Sequence, residues 1–272
     1  MAWLTQPWPG GAVGIAFGLA VFAAIGSLLG AAAARLAAAI EGRTTYRGRS
    51  FWSGRSICPS CGNTIAASDL VPVLSWLRLH GRCRLCRASI PADYALIEAG
   101  AMLAFLIALA SQPMAGRVLA VGLLGAVLTA LTMVDLRHQL LPDALTLPLI
   151  PLGLAAAALD GPGSWAMPVD CLIGGAFGAG LIGIVRWLHL KLRGIEGIGL
   201  GDVKLMAVAG AWVGWQGIGT VLLLAAFGTL AAVALARVLG RSIEITQRIP
   251  FGPGLAAGCF VTVIAGPVGF GG

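Results

Sequence analysis

Two short runs hold the acidic residues best placed to do chemistry: VDLRHQLLPD, with Asp135 and Asp143, and EGIGLGDVKL, with Glu196 and Asp202. Acidic residues are scarce, only 11 in 272 positions. Asp69 and Asp93 in the cysteine-bearing loop, Glu41 and Glu98 at helix ends, Asp160 and Asp170 around a connecting loop, and Glu244 between Arg241 and Arg248 all read as solvated groups. Two carboxylates held together in a partly desolvated cleft cannot both ionise cheaply, so they share one proton and titrate as a unit. The charged member can take a proton from water while the neutral one donates to a carbonyl, which is aspartyl-protease chemistry. No GxSxG run is present to supply a serine nucleophile. Gly199 and Gly201 of GLGD remove side chains just before Asp202, so the backbone can bend and an extended peptide can approach; Lys204 follows in the same run. Asp143 stands directly after Pro142 and reads mainly as a helix-starting or capping residue, a role asparagine fills about as well.

A second constellation is built on sulfur. RSICPSCGN and HGRCRLCRA set Cys58, Cys61, Cys83 and Cys86 in two CxxC knuckles. Thiolates three residues apart across a tight turn can bind one ion, and four of them complete the closed tetrahedral shell of a structural zinc. The competing reading is a pair of disulfides, which a reducing compartment disfavours. Arg55, Arg82, Arg84 and Arg87 lie close in sequence and can offset the charge of a tetrathiolate centre, or can serve as topology determinants. Cys171 and Cys259 stand alone in apolar runs and read as packing residues.

These groups must be positioned by a membrane protein. Hydrophobic residues make up 58% of the chain and charged ones 11%, against roughly 45–50% and 25% in soluble domains. A bilayer-spanning helix needs about 20 apolar residues. Eight spans can be placed, near 11–34, 95–111, 117–134, 144–159, 169–189, 203–216, 217–236 and 251–270. The runs are continuous and lack period-two alternation, which disfavours a β-barrel. The 40 glycines suit helices packed backbone to backbone in lipid. The expected class is therefore an all-α polytopic membrane protein with a small zinc-binding domain after its first helix: residues 1–41 as that helix, 42–94 as the zinc-knuckle domain and 95–272 as the transmembrane core.

Basic residues set the orientation. The first of them is Arg35, beyond the first apolar run, so that run reads as a retained helix and not a cleaved signal. Arg35, Arg43, Arg47 and Arg49 then belong in the cytoplasm and the N-terminus outside. With eight spans, 17 of the 18 Lys and Arg fall on the inner side and only Arg117 on the outer. The formal charge of +7 thus reports topology, and no nucleic-acid partner is expected. Two spans separate Asp135 from Asp202, an even number, so both lie at the cytoplasmic face with the cysteine loop. An ionisable residue at a membrane edge is a functional candidate.

In RSICPSC, GRCRLC, DLRHQLLPDALTLPL, EGIGLGDVKL and the late IPFGP, the chain resembles the type IV prepilin peptidases, or prepilin leader peptidase/N-methyltransferases. The resemblance implies an inner-membrane enzyme that is a GxGD aspartic protease, with Asp135 and Asp202 as its catalytic aspartates. It implies cleavage of a short basic leader after a glycine, from pilin or pseudopilin precursors of type IV pilus or type II secretion systems. It further implies methylation of the new N-terminus from S-adenosylmethionine, an activity associated with the cysteine-containing region. Gly30 and Ala31 in GSLLGAAAARL and Asp93 in PADYALIEAG depart from the family's pattern, whereas both protease motifs are intact. Tyr94 and Glu98, one helical turn apart, could face a cofactor or anchor the second span. Three readings compete: a bifunctional peptidase and methyltransferase, a peptidase alone, and a non-enzymatic transporter. A transporter should show inverted repeats with broken helices near the midplane, and no such repeat is visible.

Overall fold

Each long apolar run forms a helix in the computed structural model, which describes residues 6–40, 42, 56–58, 60–159, 167–194, 197–240 and 250–267. Glu41, Arg43, Arg47, Arg49, Arg55, Asp160, Glu196, Arg241, Glu244 and Arg248 lie outside those residues. In chain order the helices are α1 (Ala12–Ile40), α2 (Leu74–Arg78), α3 (Asp93–Ser111), α4 (Ala115–His138), α5 (Asp143–Thr146), α6 (Leu149–Ala157), α7 (Pro168–Arg193), α8 (Leu200–Val238) and α9 (Gly252–Ala265). Five of them, α1, α3, α4, α7 and α8, are long and apolar enough to cross a bilayer, and Asp143–Ala157 and Gly252–Ala265 are shorter apolar segments. A helix satisfies its own backbone polar groups, which lipid cannot do. Among the described residues the only β pairing is two isolated bridges in the cysteine loop, Ile57 with Thr64 and Arg82 with Ser89. The chain divides into two compact units, Ala2–Val134 and Asp135–Gly272.

In the first unit, small residues on α1 admit large ones from α3. A Cβ on Gly18 would run into the Phe105 ring, and one on Gly26 would stand 2.7 Å from the Glu98 Cα. Phe22 stacks on Phe105 with ring centroids 4.9 Å apart. Gly30, one of the departures noted above, leaves room for Tyr94, whose Cδ1 would be 3.4 Å from a Cβ at that position. The contacts run in opposite directions along the two helices, so α1 and α3 are antiparallel.

In the second unit, α8 is two helices joined at Gly214, where φ is 66° and ψ 176°. Only glycine adopts that conformation without strain. On α7, a Cβ at Gly178 would meet Met206 O at 2.7 Å and Ile218 Cδ1 at 3.4 Å. Twelve residues of straight helix would separate those two positions by about 18 Å. The chain therefore doubles back at Gly214, and α8 is a hairpin with α7 packed along both limbs. The expected boundary near 216 falls two residues earlier, because the turn needs the glycine. Counting the limbs separately and adding the two short apolar segments recovers the eight expected stretches among the described residues. The first limb is anchored by Trp212, whose Nε1 donates to Leu149 O of α6 at 2.8 Å. The second limb carries α9 antiparallel to it: Gly254 lies against Thr229 and Ala225, and Gly258 against Val221 and Leu224.

Candidate aspartyl site and thiolate cluster

The thiolate cluster forms from two copies of one backbone turn. Cys58 N–H donates to Asn63 O and Cys83 N–H to Ala88 O, both at 2.9 Å, while Gly62 and Arg87 donate back to Cys58 O and Cys83 O at 2.9 and 3.0 Å. The residue after each second cysteine has positive φ, 71° at Gly62 and 60° at Arg87. This geometry aims all four side chains inward. The Sγ atoms of Cys58, Cys61, Cys83 and Cys86 lie within 4.8 Å of one another, Cys58 and Cys86 being 3.7 Å apart. None of the four is in a disulfide. Tetrahedral zinc with bonds of about 2.3 Å places its sulfurs about 3.8 Å apart, so the set fits one such ion.

Two carboxylates here differ from their expected solvated state. Asp69 pairs with Arg84 and its side chain is only 7% exposed. An ion pair within the loop removes that carboxylate from water. Glu98 on α3 is 8% exposed, and its Oε2 accepts the backbone N–H of Val73 at 2.6 Å. Val73 has a φ of 58°, so the bond holds a strained turn where the loop returns to the helices. Neither outcome is visible in spacing, since the partners lie 15 and 25 residues apart. Asp170, also expected to be solvated, accepts from Met167 N and from Trp215 Nε1, each at 3.1 Å. Cys171 and Cys259 are fully buried, as packing residues should be.

The second constellation lies within Asp135–Gly272. Asp135, in the last turn of α4, is 6% exposed, and its Oδ2 has no hydrogen-bond partner among the described residues. The Gly252 backbone at the start of α9 approaches this carboxyl group. A Cβ on Gly252 would stand 2.5 Å from Oδ2 and 3.0 Å from Cγ, so the close approach requires glycine. The charge of Asp202 also acts on Asp135. The fold thus brings the two aspartates of the two acidic runs into one neighbourhood. Asp202 is the third residue of α8, and its carboxylate reaches back to the backbone of Gly199, the N-cap. A carboxylate at this position commonly satisfies the otherwise orphaned N-cap donor.

Gly201 is indeed a point of close approach, but what approaches is this chain's own Leu141. Its Cβ and Cδ1 would each lie 2.9 Å from a Cβ at Gly201. Gly199 is less crowded: a Cβ there would stand in ordinary contact with Asp202 Oδ2, 3.6 Å away. Asp143 is the first residue of α5 but not its cap. Pro142 holds the N-cap position of α5 without a side-chain cap bond, and the Asp143 carboxylate instead accepts from Lys204 Nζ at 2.6 Å. Because Pro142 takes the N-cap position, Asp143 already stands within the first helical turn and its carboxylate is left to the lysine. Two further residues escape a reading by motif: Arg186 Nε donates to Ile198 O at 3.1 Å, and the His189 ring lies against Gly197. Both secure the loop before GLGD from α7. Gly252 had a signal, the IPFGP run, though only the fold shows what its glycine faces.

Residues 21–112 match the bacterial peptidase A24 N-terminal domain, and residues 122–235 match the type IV leader peptidase family. The chain is 42% identical over 214 residues to a prepilin leader peptidase/N-methyltransferase of Burkholderia pseudomallei, covering 78% of this chain and 67% of that protein. It is 42% identical over 215 residues to the protein of that name from Aeromonas salmonicida, with 78% and 72% covered. The protein of that name from Pseudomonas aeruginosa is 40% identical over 215 residues, with 78% and 71% covered. The chain belongs to the type IV leader peptidase family. No solved structure gives a significant match. Both acidic runs fall within the leader peptidase match, and all four clustered cysteines fall within the N-terminal one. Gly252 lies beyond both.

Proposed function

We propose that this protein removes the leader peptide from type IV prepilins or pseudopilins and then methylates the exposed N-terminal amine. The observation that supports the reading most directly is a buried Asp135 whose Oδ2 has no hydrogen-bond partner among the described residues, under the charge of Asp202, in a member of this family. Asp135 and Asp202 share one proton. The ionised carboxylate draws a proton from water as the oxygen bonds to the scissile carbonyl carbon, and the protonated carboxyl stabilises the developing oxyanion. Collapse breaks the carbon–nitrogen bond, with the proton passing to the departing amine. Gly199, Gly201, Leu141 and Gly252 shape the backbone around the pair.

The site and the cysteine loop lie at the cytoplasmic face of the inner membrane, with the N-terminus outside, in keeping with the distribution of Lys and Arg. Cys58, Cys61, Cys83 and Cys86 hold a zinc ion that is structural, because four thiolates leave no open position for water or substrate. S-adenosylmethionine supplies the methyl group as a second substrate. The test is mass spectrometry of a purified pilin precursor after incubation with the protein, with and without S-adenosylmethionine. The expected result is leader loss in both samples and one added methyl group only with the donor. An intact precursor overturns the proposal, and cleavage without methylation restricts it to a peptidase.

Gly252 provides a further check. Its Cβ would displace the Asp135 carboxylate, and a shift of about 1 Å in a catalytic group can cost about 100-fold. Gly252→Ala is therefore expected to lower precursor cleavage by about 100-fold while leaving the protein in the membrane fraction at its usual level.

A further inference from the structure

The chain between the two acidic runs does more than connect helices. After α4 it turns at Gln139, with φ 53°, and restarts as α5 at Asp143. Along the way it touches the first turn of α8 twice. Leu141 fills the space opened by Gly201, and Asp143 Oδ1 accepts from Lys204 Nζ at 2.6 Å. Gly201 and Lys204 flank Asp202 in sequence, while the linker is continuous with Asp135. We infer that Lys204 and Asp143 are positioning residues whose ion pair fastens the 139–143 linker to the start of α8 and so sets the separation of Asp135 and Asp202. The inference rests on the reading of those two aspartates as the peptidase pair.

The exposure of the pair decides how large its effect is. Lys204 and Asp143 side chains are 35% and 54% exposed. An ion pair so open to water biases an equilibrium by about fivefold at most. Loss of a group that itself transfers protons costs at least about 100-fold. The two roles therefore separate by size. The half-buried apolar contact of Leu141 with Gly201 supplies the permanent join, and the ion pair is its adjustable catch.

The experiment uses the full-length protein in detergent and a purified precursor. Lys204→Met and Asp143→Asn are each expected to lower kcat by about fivefold with KM unchanged. Lys204→Arg, which keeps the charge, and the exchanged double variant Lys204→Asp/Asp143→Lys should recover most of that loss. A zero-length carbodiimide applied to the unmodified protein should join Lys204 to Asp143 as an amide, seen as one crosslinked peptide by mass spectrometry whatever the activity. Absence of that peptide overturns the inference. So do unchanged rates in both single variants, failure of both rescues, or a loss beyond about 100-fold, which would move the residue into the chemistry. Full activity in Asp202→Asn would instead defeat the peptidase pair itself, leaving the crosslink as a separate result.

Discussion

Asp135→Asn and Asp202→Asn are each expected to reduce leader cleavage by more than about 100-fold while the protein inserts and accumulates normally. Asparagine keeps the size and shape of the side chain but can neither take a proton from water nor share one with its neighbour. At Asp135 the contrast between activity and stability should be sharpest. The carboxylate is buried, and Oδ2 has no partner among the described residues. An ionised carboxylate in that setting costs folding free energy, so its neutral isostere should melt no lower than the unmodified protein. Inactive yet equally stable protein is the signature of a group kept for chemistry at the expense of stability. Cleavage by Asp202→Asn at close to the original rate would remove the aspartyl pair from consideration. Asp143→Asn serves as the internal reference, since its expected effect is about twentyfold smaller than the floor for the pair.

Joint replacement of Cys58 and Cys61 by serine is expected to release about one equivalent of zinc and unfold the knuckles, because metal binding and folding are linked in such small units. The two turns repeat the same backbone bonds around the same four sulfurs, and among the described residues of the loop the buried apolar side chains are Cys58 and Cys83 themselves. Loss of order should stop near Val73, which the buried Glu98 carboxylate ties to α3. If the loop supports methyl transfer, methylation should fall far more than cleavage of a detergent-solubilised precursor. Equal loss of both would show that the loop also places the substrate. Absence of methylation in the unmodified protein would leave a peptidase alone. Metal analysis without zinc, with cysteines that alkylate only after reduction, would restore the disulfide reading and count against a cytoplasmic loop.

Much of this protein follows from sequence because the bilayer imposes local rules. A run of about 20 apolar residues has one workable backbone in lipid, so the long apolar helices and the all-α class were legible in composition. Cys58, Cys61, Cys83 and Cys86 were legible as a set because short spacing within each knuckle dictates a shared turn. Asp135 and Asp202 could be assigned to one face by counting spans. The sequence could not say that Asp143 takes Lys204 in place of a cap, that Leu141 occupies the notch at Gly201, or that Gly252 stands against Asp135. Those contacts join positions 61, 60 and 117 residues apart. Nor could it distinguish Glu98, buried on Val73, from a solvated helix-end carboxylate. Such pairings depend on which helices touch and at what depth, and the hairpin at Gly214 decides much of that by folding α8 back along α7. Local chemistry determined the helices, the knuckles and the two aspartates; only packing in three dimensions decided which groups surround them, because a contact between distant residues has no local signature in the chain.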